Sequence, residues 1–432
     1  MIELDQADVV VVGGGIVGCA AAYYLAKRNA RVILLEKGRI GGEQSSRAWG
    51  FVRIQGRDPD EVPLMIESNR IWRGLETELE ADIEWVQGGN LAIAKDEERA
   101  DRFRDWLDVA RNFGVQTQVL TGRQVESLIP GIRGPFTAGM YTSIDGHAEP
   151  MKATEAFANA AREHGADIRT YTTAEGIDIV DGEVGGVQTD RGLVFAPVVI
   201  NAAGAHAAKF ARLAGLDLPQ RVVRATVAQT TPVERITPIG TWAPGVSFRQ
   251  KQDGSFYLAG GASSIHDITL ESFRQARMFL PNYLKNRNIF NLNVGGELVR
   301  DVARLLPGSE ARKHPFSHTV DVEPDPDRKT AVESIKGFVD LFPELRGKVK
   351  IRRMWAGNID ATPDAVPVIG EASELPGYIF ATGFSGHGFA FGPIAGKLLS
   401  ELILDGRPSL DLHAFRHSRF AEGDLAAPKN VL

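Results

Sequence analysis

"DVVVVGGGIVGCAAAYYLAKRNARVILLEK", residues 8–37, is the stretch whose reading decides the fold. Asp8 to Val12 is a continuous β-branched run of the kind found in strands buried on both faces, and Gly13, Gly15 and Gly18 follow it in G-x-G-x-x-G spacing. The pattern predicts a helix from Ile16 to Lys27 and a second strand from Arg31 to Leu35, completing a βαβ unit. Gly13 permits the tight turn, Gly15 lets a pyrophosphate approach the backbone, and Gly18 lets the helix pack against the strand. The amides of the helix start, Ile16 and Val17 among them, then face the anion with the positive end of the helix dipole. Glu36 stands at the end of the second strand, 18 residues after Gly18. A carboxylate there accepts hydrogen bonds from ribose hydroxyls and repels a 2′-phosphate, which disfavours NADP and leaves FAD and NAD open.

The whole chain sets the outer limits. Its 432 residues are 43% hydrophobic and 24% charged with a formal net charge of −6, the balance of an ordinary globular protein of two domains rather than a nucleic-acid binder. No run of about 18 apolar residues occurs, and a strand begins almost at the N-terminus, so the expected location is cytoplasmic. The single cysteine, Cys19, can form no internal disulfide and no metal cluster, and its place after Gly18 in a helix start reads as packing; no metal is expected.

Outside the first unit, "GRIGGEQSSRAWGFVR" (38–53) is a Gly- and Ser-rich loop supplying small donors and then Arg47, Trp49 and Arg53. "IEWVQGGNLAIA" (83–94) is expected to be a strand hairpin, 96–113 an amphipathic helix, and "FTAGMYTSIDGHAEP" (136–150) a strand leading into a turn. A helix ending at Gly165 precedes strands through residue 205, and 221–261 holds further strands including the hairpin "GVSFRQKQDGSFYLAGG". The end, "GYIFATGFSGHGFAFGPIAGKLLSELILDG", reads as strand, glycine turn and helix, a second anion-facing helix start far from the first.

Taken together, the N-terminal glycine unit with Glu36, "INAAGAHAAKFARLAGL" (200–216), "ATPDAVPVIG" (361–370) and "GFSGHGFAFGPIAGK" (383–397) resemble the FAD-dependent D-amino acid oxidase family, in order and over nearly the whole chain. "RMWAGNIDATPDAVPVIG" looks most like the flavin subunits of hetero-oligomeric sarcosine and opine-type oxidases. The resemblance implies an α/β fold: a doubly wound, Rossmann-like FAD domain from residues 1–55, 146–218 and 346–432, with an inserted α+β substrate domain on a large mixed sheet, 56–145 and 219–345. It implies FAD contacts from Gly13, Gly15, Ile16, Val17, Gly18, Glu36, Lys37, Ser45, Ser46, Arg47, Trp49, Gly50, Ala174, Ala203 and Gly204. Gly383, Ser385, Gly386, His387, Gly388 and Phe389 would lie against the flavin ring, where the helix dipole stabilises charge gathered at the N1 and C2 edge on reduction. His387 adds a donor there or caps the turn.

The implied chemistry is oxidation of the C–N bond of an amino-acid-like amine (a D-amino, N-substituted or imino acid), by hydride transfer from the neutral amine to flavin N5, with hydrolysis of the resulting imine. Candidate substrate contacts are Arg53, Arg249 on its hairpin and Trp355; the alternatives are a solvent-facing charge for Arg249 and core packing for Trp355. His147 and His206 read as turn or packing residues. Many relatives carry an arginine just before the Thr-Pro-Asp turn to clamp the carboxylate, and here Trp355 to Ala361 contains none, which points to an N-substituted or imino acid or to another arginine. The monomeric sarcosine oxidases tether flavin through a cysteine five residues before that threonine; the equivalent here is Gly357, so FAD is expected to be non-covalent.

Residues 270–313 carry eight Lys or Arg against four acids inside an insertion spanning about 266–330. It reads as a lid on the same subunit, or as a surface for a membrane or partner. Oxidation of a 2-hydroxy acid on the same fold, or a FAD-bearing subunit needing a partner, remain open, as do oxygen, a quinone or a partner protein as electron acceptor and a homo- or hetero-oligomeric state.

Overall fold

The computed structural model describes residues 5–260, 264–287, 290–304 and 323–426, with the single residues 306, 316 and 320. Of the basic positions in the insertion, Arg312 and Lys313 lie outside the described residues. The quoted N-terminal stretch folds as strand Val9–Val12, helix Ile16–Ala26 and strand Val32–Glu36. All four valines of the first strand are buried, because it pairs in parallel with Val32–Glu36 on one side and Val198–Asn201 on the other. Asp167–Thr170 extends the sheet beyond Val32–Glu36, and Tyr378–Thr382 with the antiparallel Val368–Glu371 extends it on the opposite side, making six strands.

One face of that sheet carries two helices in close contact. The helix Gly388–Asp405 lies against Ile16–Ala26, and glycines permit the approach: a Cβ on Gly392 would come within 2.6 Å of the Ile16 side chain, and one on Gly396 within 2.5 Å of the Ala20 backbone. The contact aligns the two helices that start at the two glycine turns.

The second sheet has ten strands, mixed in direction. The long strand Arg221–Thr230 pairs antiparallel with Phe256–Gly260, and also with Ile351–Ala361 through a continuous register from Arg221–Ala361 to Gln229–Arg353. The expected hairpin of Val246–Gln250 with Phe256–Gly260 forms, and its Phe248 and Phe256 pack against Phe338 and Phe342. Phe338 lies on the helix Arg328–Leu341 and Phe342 at its C-cap; together they cover this face.

The expected hairpin at 83–94 does not form. Only Asn90–Ala94 is a strand, pairing with Gly240–Ala243 and Ala138–Thr142, while Val86 makes an isolated bridge to His147. The two glycines between them are committed elsewhere: Gly89 has φ +84°, and a Cβ on Gly88 would stand 1.9 Å from the Pro238 carbonyl oxygen. Tertiary packing at that oxygen separates the two halves of the apolar run.

Within the insertion, helices Leu270–Arg274 and Ala276–Asn286 pack on the same chain through buried Gln275, which bonds Arg221 and Asp217, and through Asn282, whose side chain donates to the Pro363 carbonyl at 3.3 Å. Phe273 and Leu284 point outward. Among the described residues no helix is long and apolar enough to cross a membrane.

Candidate active site

A cavity of about 560 Å³ runs between the two sheets, from the first glycine turn to the start of the closing helix. Gly13, at φ +114°, could not carry a side chain, since a Cβ would meet the Ala202 carbonyl at 2.4 Å. Gly15 N-caps the first helix, and the Ser45 hydroxyl accepts from the Ile16 amide at 2.9 Å. Glu36 accepts from the Gly14 and Gly38 amides, each at 2.7 Å, so its carboxylate is aimed at the turn. Burial raises its pKa against those two bonds. Beside it, Glu43 accepts from Lys37 at 2.5 Å and meets His206 at 3.0 Å; burial opposes its charge, but His206 and Lys37 hold its carboxyl down at about 2.

The loop after Glu36 is ordered by carbonyls. Arg47 donates to the carbonyls of Gly42 and Glu43, and its own carbonyl accepts from the Trp355 indole at 3.2 Å. Trp49, Phe51 and Trp242 form an aromatic wall, with ring centroids 5.0 to 5.4 Å apart from Trp242. Behind it stands Arg249, which donates to the Trp49 carbonyl and to Glu149.

At the other end, strand Tyr378–Thr382 feeds a turn held by Asp360. Asp360 accepts from the Gly383 amide at 2.8 Å, from Gln44 at 2.9 Å and from Gln220 at 3.2 Å, so one carboxylate ties the second turn to the loop of the first. Gly383, Ser385 and Gly386 have φ of +70°, +51° and +89°, which turns the chain into the helix Gly388–Asp405. The first amides of that helix have no partner within it and face the cavity. His387 occupies the N-cap position but makes no side-chain cap bond. Its Nδ1 instead meets the buried Glu61 carboxylate at 3.2 Å.

Around that pair lie Arg53, stacked on Trp242 at 4.8 Å with its Nη1 on the Gln55 carbonyl, and Arg57, whose Nε donates to the Arg53 carbonyl at 3.1 Å. Burial, then Arg57, pushes Arg53 down to about 9; burial, then Arg57, pushes His387 down to about 4. Asp145, beneath the loop, accepts from the Ile54 and Gln55 amides and is pushed by burial up to about 7.

Of the residues expected from sequence, the cavity lining brings together Gly13, Gly15, Ile16, Val17, Glu36, Lys37, Ser45, Arg47, Trp49, Gly50, Arg53, Ala174, Ala203, Gly204, Ser385, Gly386, His387, Gly388 and Phe389. Gly18, Ser46, Gly383, Arg249 and Trp355 are not in it. Gly18 packs on the Gly13 carbonyl, and Ser46 bonds the Glu43 carbonyl. Arg249 is buried rather than solvent-facing, and Trp355 packs edge-on against Tyr257. Sequence reasoning passed over Arg57, Glu61 and Asp360. The one signal for Arg57 was its place four residues after Arg53 in "RIQGR".

The family model described as FAD dependent oxidoreductase matches residues 8–402. Human mitochondrial sarcosine dehydrogenase is 27% identical over 426 residues, covering 96% of this chain and 42% of that protein. The chain thus spans less than half the length of that relative. Glycine oxidase of Bacillus subtilis (strain 168) is 26% identical, with 95% of this chain and 97% of that protein covered. Among solved structures, L-amino acid deaminase from Proteus myxofaciens in complex with anthranilate superposes with a TM-score of 0.90 at 26% identity, covering 96% of this chain and 94% of that one. L-proline dehydrogenase from P. horikoshii gives a TM-score of 0.80 at 27% identity, with coverage of 98% and 100%.

Proposed function

The chain belongs to the FAD-dependent oxidoreductase family, and from that premise we propose that it oxidises the C–N bond of an amino-acid-like amine with non-covalently held FAD. The observation that carries this reading is the convergence of two glycine-turn helix starts on one cavity, with a ribose-type carboxylate, Glu36, at one end and an arginine-rich, largely dehydrated group at the other. The residues present fit the cofactor: Gly13 admits no side chain, Gly15 leaves the helix start open, and Glu36 is already aimed by two amides. Gly13 to Val17, Glu36 and the 44–50 loop would hold the dinucleotide, and Ser385 to Phe389 its ring. When bound, FAD supplies the hydride acceptor.

The chain's own residues bind, orient and dehydrate the amine. Trp49, Phe51 and Trp242 exclude water from one side of the cavity. Arg53 and Arg57 disfavour a third positive charge, so an amine enters neutral, with its lone pair available; each pKa unit by which they lower it corresponds to about 1.4 kcal/mol. In this reading Arg53 and His387 border the substrate, whereas Arg249 and Trp355 support the wall from behind. In this reading segments 1–55, 146–218 and 346–432 bind FAD, and 56–145 with 219–345 form the substrate part.

Of the relatives above, sarcosine dehydrogenase and glycine oxidase act on amino acids, and the anthranilate in the Proteus structure is itself an amine beside a carboxylate. Anaerobic mixing of the FAD-loaded protein with a panel of primary, N-methyl and cyclic amino acids, set against the matching 2-hydroxy acids, tests the reading. Bleaching of the flavin by amines alone is expected. Bleaching only by hydroxy acids, or by none of the panel, overturns it.

A further inference from the structure

We infer that Arg57 anchors the carboxylate of the substrate, taking the role for which residues 355–361, ahead of the Thr-Pro-Asp turn, carry no arginine; the inference rests on the amine-oxidation reading above.

The basis is how each cavity-side arginine is already used. Arg249 is committed to the Glu149 carboxylate and the Trp49 carbonyl, lies over the Tyr257 ring at 4.6 Å, and does not line the cavity. Arg47 donates to two carbonyls and meets Glu323 at 3.4 Å. Arg53 donates to the Gln55 carbonyl and is stacked on Trp242. Arg99 lines the cavity from the helix Glu97–Asn112; its Nε also lacks a partner, but the residue is only half-buried.

Arg57 differs from all of these. It is 4% exposed, lines the cavity, and is fixed at its stem by the Nε bond to the Arg53 carbonyl. Yet its Nη1 has no hydrogen-bond partner, and among the described residues no carboxylate comes within 4.0 Å of its guanidinium. The nearest acids are both engaged elsewhere: Glu61 with His387, and Asp145 with two backbone amides. A buried guanidinium nitrogen left without an acceptor is costly, and the cost is recovered when an anion arrives. Arg57 holds its stem rigidly and keeps its fork unspent, the arrangement that suits bidentate capture of a carboxylate. Its position fits the task. His387, at the N-terminus of the closing helix, and Arg57 line the same cavity, so an anion on Arg57 shares that cavity with the helix start.

The test uses the FAD-loaded protein and two probes read by flavin absorbance at equilibrium: anthranilate, and its uncharged counterpart 2-aminobenzamide. No turnover is needed, so this result and the substrate panel fail separately. Wild-type protein is expected to prefer anthranilate. Arg57→Gln is expected to raise the anthranilate dissociation constant about ten- to hundredfold while leaving 2-aminobenzamide within about twofold, the loss typical of a buried charged hydrogen bond. Arg57→Lys, which keeps the charge without the fork, is expected to fall between, and it decides the matter should Arg57→Gln fail to load FAD. Equal weakening of both probes, unchanged anthranilate binding in either variant, or a wild type that does not favour anthranilate overturns the assignment.

Discussion

Arg249 and Glu149 meet at 3.2 Å in the interior, the arginine only 1% exposed, although they lie 100 residues apart in the chain. The same carboxylate also holds Lys251 at 2.7 Å and the Tyr257 hydroxyl at 3.3 Å. The Arg249 guanidinium in turn holds the Trp49 carbonyl, and a Cβ on Gly50 would stand 2.7 Å from its Nη2. The cluster is therefore the backing of the cavity wall.

Removing Arg249 leaves Glu149 with Lys251 alone and the Trp49 carbonyl without its donor, at a cost of about 3 kcal/mol. Arg249→Gln is accordingly expected to lower the unfolding free energy by about that amount in a denaturant titration. A variant as stable as wild type would sink this account of the wall.

Gly18 leaves no room for any side chain, because a Cβ there would lie 2.0 Å from the Gly13 carbonyl oxygen. Gly18→Ala must push the first helix off the strand or distort the turn, and overpacking of this kind costs about 1–3 kcal/mol. The expected outcome is colourless protein after purification. Gly15→Val acts differently, since the nearest atom is the Ser45 hydroxyl at 3.1 Å: the fold should survive while the branched side chain fills the space of the pyrophosphate. Either variant isolated yellow, with stoichiometric FAD, would refute its half of the prediction.

Acid should destabilise the protein from pH 6.5 downward. Burial, then Arg57, takes His387 from 6.5 to about 4, and burial, then Arg249, takes His147 from 6.5 to about 3. Both are neutral when folded and protonate readily once unfolded, so the unfolded state binds more protons as pH falls through 6.5. The loss from His387 is complete near pH 4 and amounts to about 3 kcal/mol. Glu61, Arg53 and Arg57 surround that ring, and Glu61 opposes part of the shift. His387→Gln removes the titrating group, so the slope of thermal midpoint against pH between 6.5 and 4 should flatten. An unchanged slope would remove His387 from this role.

Flavin should leave the protein on acid precipitation. Gly357, the position five before Thr362, offers no sulfur and packs against the Arg47 side chain. Cys19 is fully buried in the first helix, its thiol pushed up by burial. Yellow colour is expected in the supernatant, analysing as FAD; colour kept by the pellet contradicts the prediction.

The first strand, helix and second strand were legible to within a residue or so, because their signals are local: a β-branched run, glycines at set spacing, an apolar helix period. The closing strand, turn and helix were legible for the same reason, as was the hairpin at 246–260. The run at 83–94 misled because its apolar alternation is the same whether the two halves pair with each other or with distant strands.

The sequence by itself determined the family-level architecture and one half of the site, the turn that Gly13, Gly15 and Glu36 build from neighbouring residues. Only the tertiary structure decided the other half. His387 and Glu61 are 326 residues apart, and Asp360 ties the second turn to Gln44 across 316 residues. No periodicity marks such partners, since their charges are stabilised by whichever groups the packed sheets bring within a few ångströms. The commitment of Arg249 to Glu149, and the unspent fork of Arg57, arise the same way: a guanidinium's role depends on which acceptors share its burial, and burial is a property of the assembled fold.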